Sequence, residues 1–335
     1  MVATEIAPER RRRSPLALPP GAWRLALPLV VLAILFGILI AIHPRGLAVA
    51  SMTPWANQAV TLAFVAVGQF FVVVTRGLDL SIGAVLALSN ALASELVSGT
   101  PLEIAVGVVA VLAVGCLCGA INGVAVVFGR IQPIVATLAT GAIYTGLALI
   151  VRPTPGGDVD EALSDLLTYE TFGFFPTSLI LLFAVVYLVW WPLSRTVLGR
   201  SLYAIGSNES AAFMSGLNPK RARLLAHVLA GFFAACGGLF LAFQTLSGDA
   251  SVGFSYTLNS IAAVVIGGAS LAGGVGTVIG VIAGAYLLRT ISTIMIFTGL
   301  PPMAQPLFEG LVLLAAVSVG AIEMITSRNK LKVLR

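Results

Sequence analysis

The chain has 335 residues, 58% of them hydrophobic and only 10% charged, with a net charge of +5, against roughly 25% charged residues in an ordinary soluble domain. That composition excludes a solvated globular surface. Hydrocarbon cannot satisfy open backbone groups, and the short alternating segments of a membrane barrel do not occur, so the long apolar runs predict an all-α integral membrane protein.

In chain order, a basic tail over residues 1–21 carries Arg10 to Arg13 and precedes the first predicted span, Ala22–Ile42. Ala48-Val49-Ala50 resembles a signal cleavage site, but the apolar run is too long for a signal core and His43, Pro44 and Arg45 intervene, so the segment is read as a span. Nine further spans follow: Asn57–Thr75, Leu80–Val97, Ile104–Phe128, Ile131–Val151, Thr177–Leu193, Leu224–Leu246, Leu258–Leu271, Val275–Phe297 and Met303–Met324. A basic tail closes the chain over residues 327–335, leaving a membrane domain over 22–326 with its longest inner loop at 195–223. With both termini in the cytoplasm, nearly all Lys and Arg near span ends share one face, Arg45 and Arg152 excepted. The loop after span five is acidic, with Asp158, Asp160, Glu161, Asp165 and Glu170. The basic rim faces anionic lipid and cytoplasmic partners and gives no sign of nucleic-acid binding.

Between spans two and three lies TRGLDLSIG, with Gly77, Asp79, Ser81 and Gly83. It reads either as a tight surface hairpin, with Gly77 bending, Asp79 capping the next helix and Arg76 in the headgroups, or as a broken helix at membrane depth beside a pathway. Asp79-Leu-Ser81-Ile-Gly83 recurs as Asp249-Ala-Ser251-Val-Gly253, and Gln132-Pro133 as Gln305-Pro306. Both recurrences fall at corresponding joints of spans two to five and seven to ten, and the single span between these sets predicts an inverted repeat. Cys116, Cys118 and Cys236 lie within spans and read as small packing residues rather than a disulfide or a metal set.

The loop GRSLYAIGSNESAAFMSGLNPKRARLLA runs from Gly199 to Ala226. Ser207 or Asn208 can cap a short helix, Glu209 suits its positive end, Gly216 can stop it in the left-handed conformation, and Asn218-Pro219 can start the next span. Phe213 and Met214, exposed on so short an element, argue for docking against another protein.

GLDLSIG, GAINGVAVVFGRIQPIVATLATGAIYTGLALIV, YAIGSNESAAFMSGLNPKRAR and IAAVVIGGASLAGGVGTVIGVIAGA together resemble the ribose-type family of ATP-binding-cassette importer permeases over about Asn57 to Val317. The resemblance implies a non-enzymatic subunit of a bacterial inner membrane. It would pass a monosaccharide or related polyol delivered by a periplasmic sugar-binding protein, with a second permease copy or paralogue beside it and ATPase subunits below. It also implies that Glu209, Ala211, Ala212 and Gly216 belong to a coupling helix seated in the ATPase.

The residues themselves agree that ATP is hydrolysed elsewhere: no phosphate loop is present, since none of Lys220, Lys330 and Lys332 follows a glycine. No cofactor or metal is expected. For a neutral, hydroxyl-rich solute the candidate lining is uncharged and polar: Gln69, Asn90, Asn122, Thr137, Tyr144, Gln244 and Asn259. An ion-coupled secondary transporter or a channel is the alternative. It needs a titratable acid deep in the membrane, for which Glu309 is the candidate. Arg289 and Glu309 fall at similar depth, roughly 9 Å below the outer surface, so an ion pair between adjacent helices is the expected arrangement.

Overall fold

Apolar runs become helices here wherever glycine and proline leave them uninterrupted, and the breaks set the architecture. The computed structural model describes residues 22–43, 48–301, 304–308, 310–311 and 314. In order these form α1 (Ala22–Ile42), α2 (Val49–Val74), α3 (Ile82–Leu96), α4 (Pro101–Val127), α5 (Pro133–Val151), α6 (Glu161–Thr168), a hairpin of β1 (Glu170–Thr171) and β2 (Phe175–Pro176), then α7 (Thr177–Ser194), α8 (Val197–Ser207), α9 (Glu209–Met214), α10 (Pro219–Thr245), α11 (Gly253–Ile266) and α12 (Val278–Phe297). Among the described residues seven helices, α1, α2, α4, α5, α7, α10 and α12, are long and apolar enough to cross a membrane, and α3 and α11 are shorter apolar helices. These nine match nine of the ten predicted spans. Most of the tenth, Met303–Met324, lies outside the described residues, of which 305–308, 310–311 and 314 are helical.

Two of the spans shift for identifiable reasons. Helix α2 starts at Val49 rather than Asn57, since Pro54 near its start removes only one helical hydrogen bond. The eighth span, predicted as Leu258–Leu271, occupies Gly253–Ile266 as α11, because the Asp249–Ser251 turn starts it early and Gly267 and Gly268, the latter at φ 83°, end it.

Helices α2 and α10 form the buried centre, joined by Phe233, whose ring centroid lies 5.8 Å from Phe71 and 6.5 Å from Phe64. Around them α4 packs on α10, α12 on α2, α1 on α12 and α7 on α2. The α4–α10 contact is close because glycines face it: a Cβ on Gly115 would meet the Gly231 carbonyl at 2.6 Å. Outward side chains such as Val109, Ile150 and Leu188 are exposed apolar groups suited to hydrocarbon.

The acidic loop after α5 is ordered by its own caps. Asp160 accepts from Leu163 N (2.7 Å) to start α6, and Ser164 donates to the Phe243 carbonyl at the end of α10. Asn57 Nδ2 donates to Thr168 O (2.8 Å), tying α6 to α2. One of the two cations predicted on the outer side, Arg152, forms an ion pair with Glu95 and donates to Ser94 O (3.2 Å), so its charge is locally met. Arg45 lies outside the described residues.

Helices α3 and α11 touch at Gly83 and Gly253, where a Cβ on Gly253 would come within 2.5 Å of the Gly83 carbonyl. Gly83→Ala should therefore destabilise the purified protein by about 1–3 kcal/mol through overpacking against backbone. Gly146→Ala on α5, with no heavy atom within 4 Å of the new Cβ, should be neutral or slightly stabilising. Thermal unfolding in detergent, followed by size-exclusion fluorescence, compares them, and equal melting temperatures would refute the crossing.

Candidate functional site

The loop between α7 and α10 builds two helices. Thr196 caps α8 through Gly199 N (3.1 Å), and Asn208 Oδ1 caps α9 through Ala211 N (3.0 Å). Gly216 ends α9 at φ 82°, and Asn218 Oδ1 accepts from Arg221 N (3.2 Å) with Pro219 opening α10. The predicted cap, stop and restart therefore stand in order. Ala211 is exposed and Ala212, 5% exposed, turns into the chain's own core. The side chains that project are Phe213 and Met214, 66% and 81% exposed. Glu209 pairs with Arg223 of α10 at 2.6 Å. Beside α9 a cavity of about 1270 Å³ opens between the α2–α3 link, the α4–α5 turn and the start of α10, with Arg76, Arg130, Lys220 and His227 on its wall.

Behind that cavity lies the TRGLDLSIG link, and its geometry departs from the tight-hairpin reading. The left-handed residue is Arg76, at φ 68°, and not Gly77; a Cβ on Gly77 would lie 2.8 Å from Val72 Cγ1 and displace that side chain. Arg76 does not pair with Asp79; it donates through Nε to Ala272 O (2.9 Å) and through Nη2 to Ser207 O (2.7 Å). Asp79 is 2% exposed. Its Oδ1 accepts from Ser81 N (2.9 Å) and Ser81 Oγ (2.6 Å), and its Oδ2 lies 3.5 Å from His227 Nδ1 on α10. The Gln69 amide, oriented to satisfy both partners, donates to Asp79 O (3.0 Å) and accepts from Asp79 N (3.3 Å).

The second link, from α10 to α11, repeats this geometry 170 residues on. Leu246 is left-handed at φ 49° where Arg76 is, and Asp249 Oδ1 accepts from Ser251 N (2.8 Å) and Ser251 Oγ (2.7 Å). Gly83 N donates to Thr257 Oγ1 (3.1 Å), and a Cβ on Gly253 would touch Ala87 at 3.2 Å. The pairs 83·257 and 87·253 exchange under the same offset.

Of the seven uncharged polar candidates, Gln69, Asn90, Asn122, Thr137, Tyr144 and Asn259 are buried and Gln244 is half-buried. Five hold elements together. Gln69 holds the first link, while Asn90 accepts from Asp249 N (2.7 Å) and so ties α3 to the second link. Asn122 Nδ2 donates to Ser81 Oγ (2.7 Å), Tyr144 Oη donates to Cys118 O (3.0 Å) and lies 3.3 Å from Asn122 Oδ1, and Thr137 Oγ1 accepts from Leu80 N (2.9 Å). Arg289 lies over Tyr256, 5.4 Å from the ring centroid, and Glu309, its predicted partner, lies outside the described residues. His227 was absent from the sequence-derived set. Its one signal was a histidine four residues after Arg223 inside an apolar span.

The family described as branched-chain amino acid transport system, permease component, matches residues 51–317. The ribose import permease protein of Haemophilus influenzae is 34% identical over 294 residues, 86% of this chain and 90% of that protein. The autoinducer 2 import system permease protein of an Enterobacter species is 36% identical over 307 residues, 90% of this chain and 88% of that protein. The galactose/methyl galactoside import permease protein of H. influenzae is 31% identical over 313 residues, 88% and 93% respectively. No solved structure matches the chain.

The two aspartates have like local turns and unlike surroundings, since Asp79 is buried against His227 while Ser251 beside Asp249 is exposed. Asp79→Asn keeps an acceptor for Ser81 but sets an amide against His227, whereas Asp249→Asn meets no such neighbour. We expect Asp79→Asn to lower stability by about 1–3 kcal/mol, the cost of a mismatched buried polar group, and Asp249→Asn by less than about 1 kcal/mol. Paired thermal melts of the two variants check this, and the reverse ranking would refute it.

Proposed function

The chain belongs to the permease-component family of ATP-dependent import systems, and from that premise we propose that it forms the membrane path for a monosaccharide or related polyol. It is a multi-pass membrane subunit and not itself the ATPase. The observation that supports coupling is α9: a helix capped at both ends, ion-paired to α10, and presenting Phe213 and Met214 outward. Such a rigid, apolar-tipped element suits a cleft in a partner ATPase. Glu209, Ala212 and Gly216 hold its shape, and Ala211 shares its exposed side.

The sugar assignment draws on relatives named for ribose and galactose import. A neutral, hydroxyl-rich solute needs no charged residue along its path. Specificity is assigned to a periplasmic binding protein, since tight binding within the path would slow release. A second permease copy or paralogue would complete the path. Residues 22–326 form the membrane domain between two cytoplasmic tails, 1–21 and 327–335.

The inverted repeat is supported by the two links. Positions 76 and 246, 79 and 249, and 81 and 251 adopt like geometry at a constant offset, and Gly83 and Gly253, the same offset apart, face each other. Helices α2 and α10 begin at Val49 and Pro219, the same offset apart. One helix long enough to span, α7, separates the two sets, which then run in opposite directions across the bilayer.

Phe213→Asp places a charge on the docking tip without touching the core, and Gly216→Val forces a β-branched residue into a left-handed angle at a cost of about 1–2 kcal/mol. Both proteins should insert and fold yet lose co-purification with the ATPase and at least about ten-fold of uptake, corresponding to about 1.4 kcal/mol of docking energy. Retained ATPase binding by Phe213→Asp would remove α9 from the interface. Orientation is read by an impermeant thiol reagent on intact spheroplasts: a cysteine at Asp160 should label from outside, and one at Lys220 only after permeabilisation.

A further inference from the structure

Five buried side chains on four different segments connect the α9 region to α5. Arg223, held by Glu209 of α9 at 2.6 Å, lies one turn before His227 on the same face of α10. His227 Nδ1 stands 3.5 Å from Asp79 Oδ2 and has no closer hydrogen-bond partner among the described residues. Asp79 Oδ1 takes the Ser81 hydroxyl at 2.6 Å, Ser81 Oγ takes Asn122 Nδ2 at 2.7 Å, and Asn122 Oδ1 faces Tyr144 Oη at 3.3 Å. The donors run one way: phenol shared between the Cys118 carbonyl and the Asn122 amide oxygen, amide to hydroxyl, hydroxyl to carboxylate. Each member is at most 3% exposed.

The character of α5 gives this chain its meaning. The buried stripe of α5 is Ala136, Thr137, Gly141, Tyr144 and Ala148, two alanines, a glycine and two hydroxyl-bearing residues. No large aliphatic knob fixes its rotation, and its packing runs to α3 and α4. Beside the Tyr144 ring, which sits in an apolar cluster with α3 and α4 residues, what holds the register of α5 is polar: Tyr144 to α4, and Thr137 to the backbone of the α2–α3 link at Leu80. Gly141 lets that link approach, with Ser81 Cα 3.3 Å from the Cβ position.

We propose that the buried sequence His227, Asp79, Ser81, Asn122, Tyr144 carries displacement of the first turns of α10 into α5, which makes His227, Asn122 and Tyr144 positioning residues for transport. This rests on the reading of α9 as the ATPase contact. When α9 moves, the Glu209–Arg223 pair and the Asn218 cap oblige α10 to follow. His227 then shifts against Asp79, the link moves with its carboxylate, and α5 follows through Asn122, Tyr144 and Thr137.

The test uses the complete complex, the full chain with its native ATPase and binding protein, in proteoliposomes. Uptake, ATP hydrolysis stimulated by loaded binding protein, and ATPase co-purification are measured for Tyr144→Phe, Asn122→Leu, His227→Leu and His227→Asn. We expect uptake to fall about ten-fold in the first three while stimulated hydrolysis stays within about two-fold, so that more ATP is consumed per solute moved. The double variant Asn122→Leu/Tyr144→Phe should transport no worse than Asn122→Leu alone, because both cut one chain. His227→Asn, whose amide nitrogen can stand where Nδ1 stands, should recover most uptake. Unchanged uptake in Tyr144→Phe and Asn122→Leu, or a proportionate fall of uptake and hydrolysis in folded protein, would overturn the proposal, as would additive losses in the double variant. Should the wild-type chain hold no ATPase, the docking reading fails and the proposal falls with it, a result distinguishable from the others by co-purification alone.

Discussion

A non-helical link packed among apolar helices leaves backbone N–H and C=O groups on its buried side that hydrocarbon cannot satisfy, and each unmet group costs several kcal/mol in such surroundings. The segment from Thr75 to Ser81 meets that constraint with side chains drawn from almost every neighbour. Asp79 serves Ser81 N, Gln69 serves both the N–H and C=O of Asp79, and Thr137 serves Leu80 N. Arg76 in turn satisfies carbonyls at the end of α8 and in the link before α12. The short start of α3, the polar attachment of α5, and the presence of a histidine in α10 all follow from a turn that must be solvated by protein.

The same local motif in two settings separates what short-range sequence dictates from what packing adds. An Asp two residues before a Ser forms a side-chain-to-backbone turn because the carboxylate reaches the i+2 N–H without strain, and it does so at both 79 and 249. The neighbours differ. The first carboxylate meets His227, and the second link is held from outside itself by Asn90 and by the paired backbones of Gly156 and Gly248. Identical local chemistry thus becomes a buried junction at one link and a tethered loop at the other.

Legibility follows the same division. Long apolar runs, the Asn218-Pro219 start of α10 and the Gly216 stop of α9 are local signals, and the helices stand where they point. The joint before α12 was less legible, because glycines at positive φ such as Gly273 and Gly274 build an ordered link that hydropathy cannot distinguish from a frayed span end. Helix α6 and its hairpin were hidden in an acidic stretch too short and polar to read as anything but loop. The partners of the polar residues were illegible in principle: Asn122 and Ser81 lie 41 positions apart, and Arg76 and Ala272 196. Composition marked these side chains as important without saying to whom. His227 escaped notice because a single histidine in an apolar run carries no periodicity, and its meaning appears only when Asp79 is placed opposite.

Polar attachment also suits a helix that has to move. Hydrogen bonds between membrane helices contribute only about 0.6 kcal/mol each on average, so the few that hold α5 can be exchanged at a cost of a few kcal/mol. An interlocked set of large aliphatic side chains would resist rotation with its whole packed volume. Hydrogen bonds are directional, however, and a donor chain ending on one carboxylate has few satisfactory arrangements. Weak links with discrete geometry favour switching between positions over continuous drift. The small residues of the α5 stripe, Ala136, Gly141 and Ala148, reinforce this by offering a smooth surface along which the helix can shift once the polar contacts change partners.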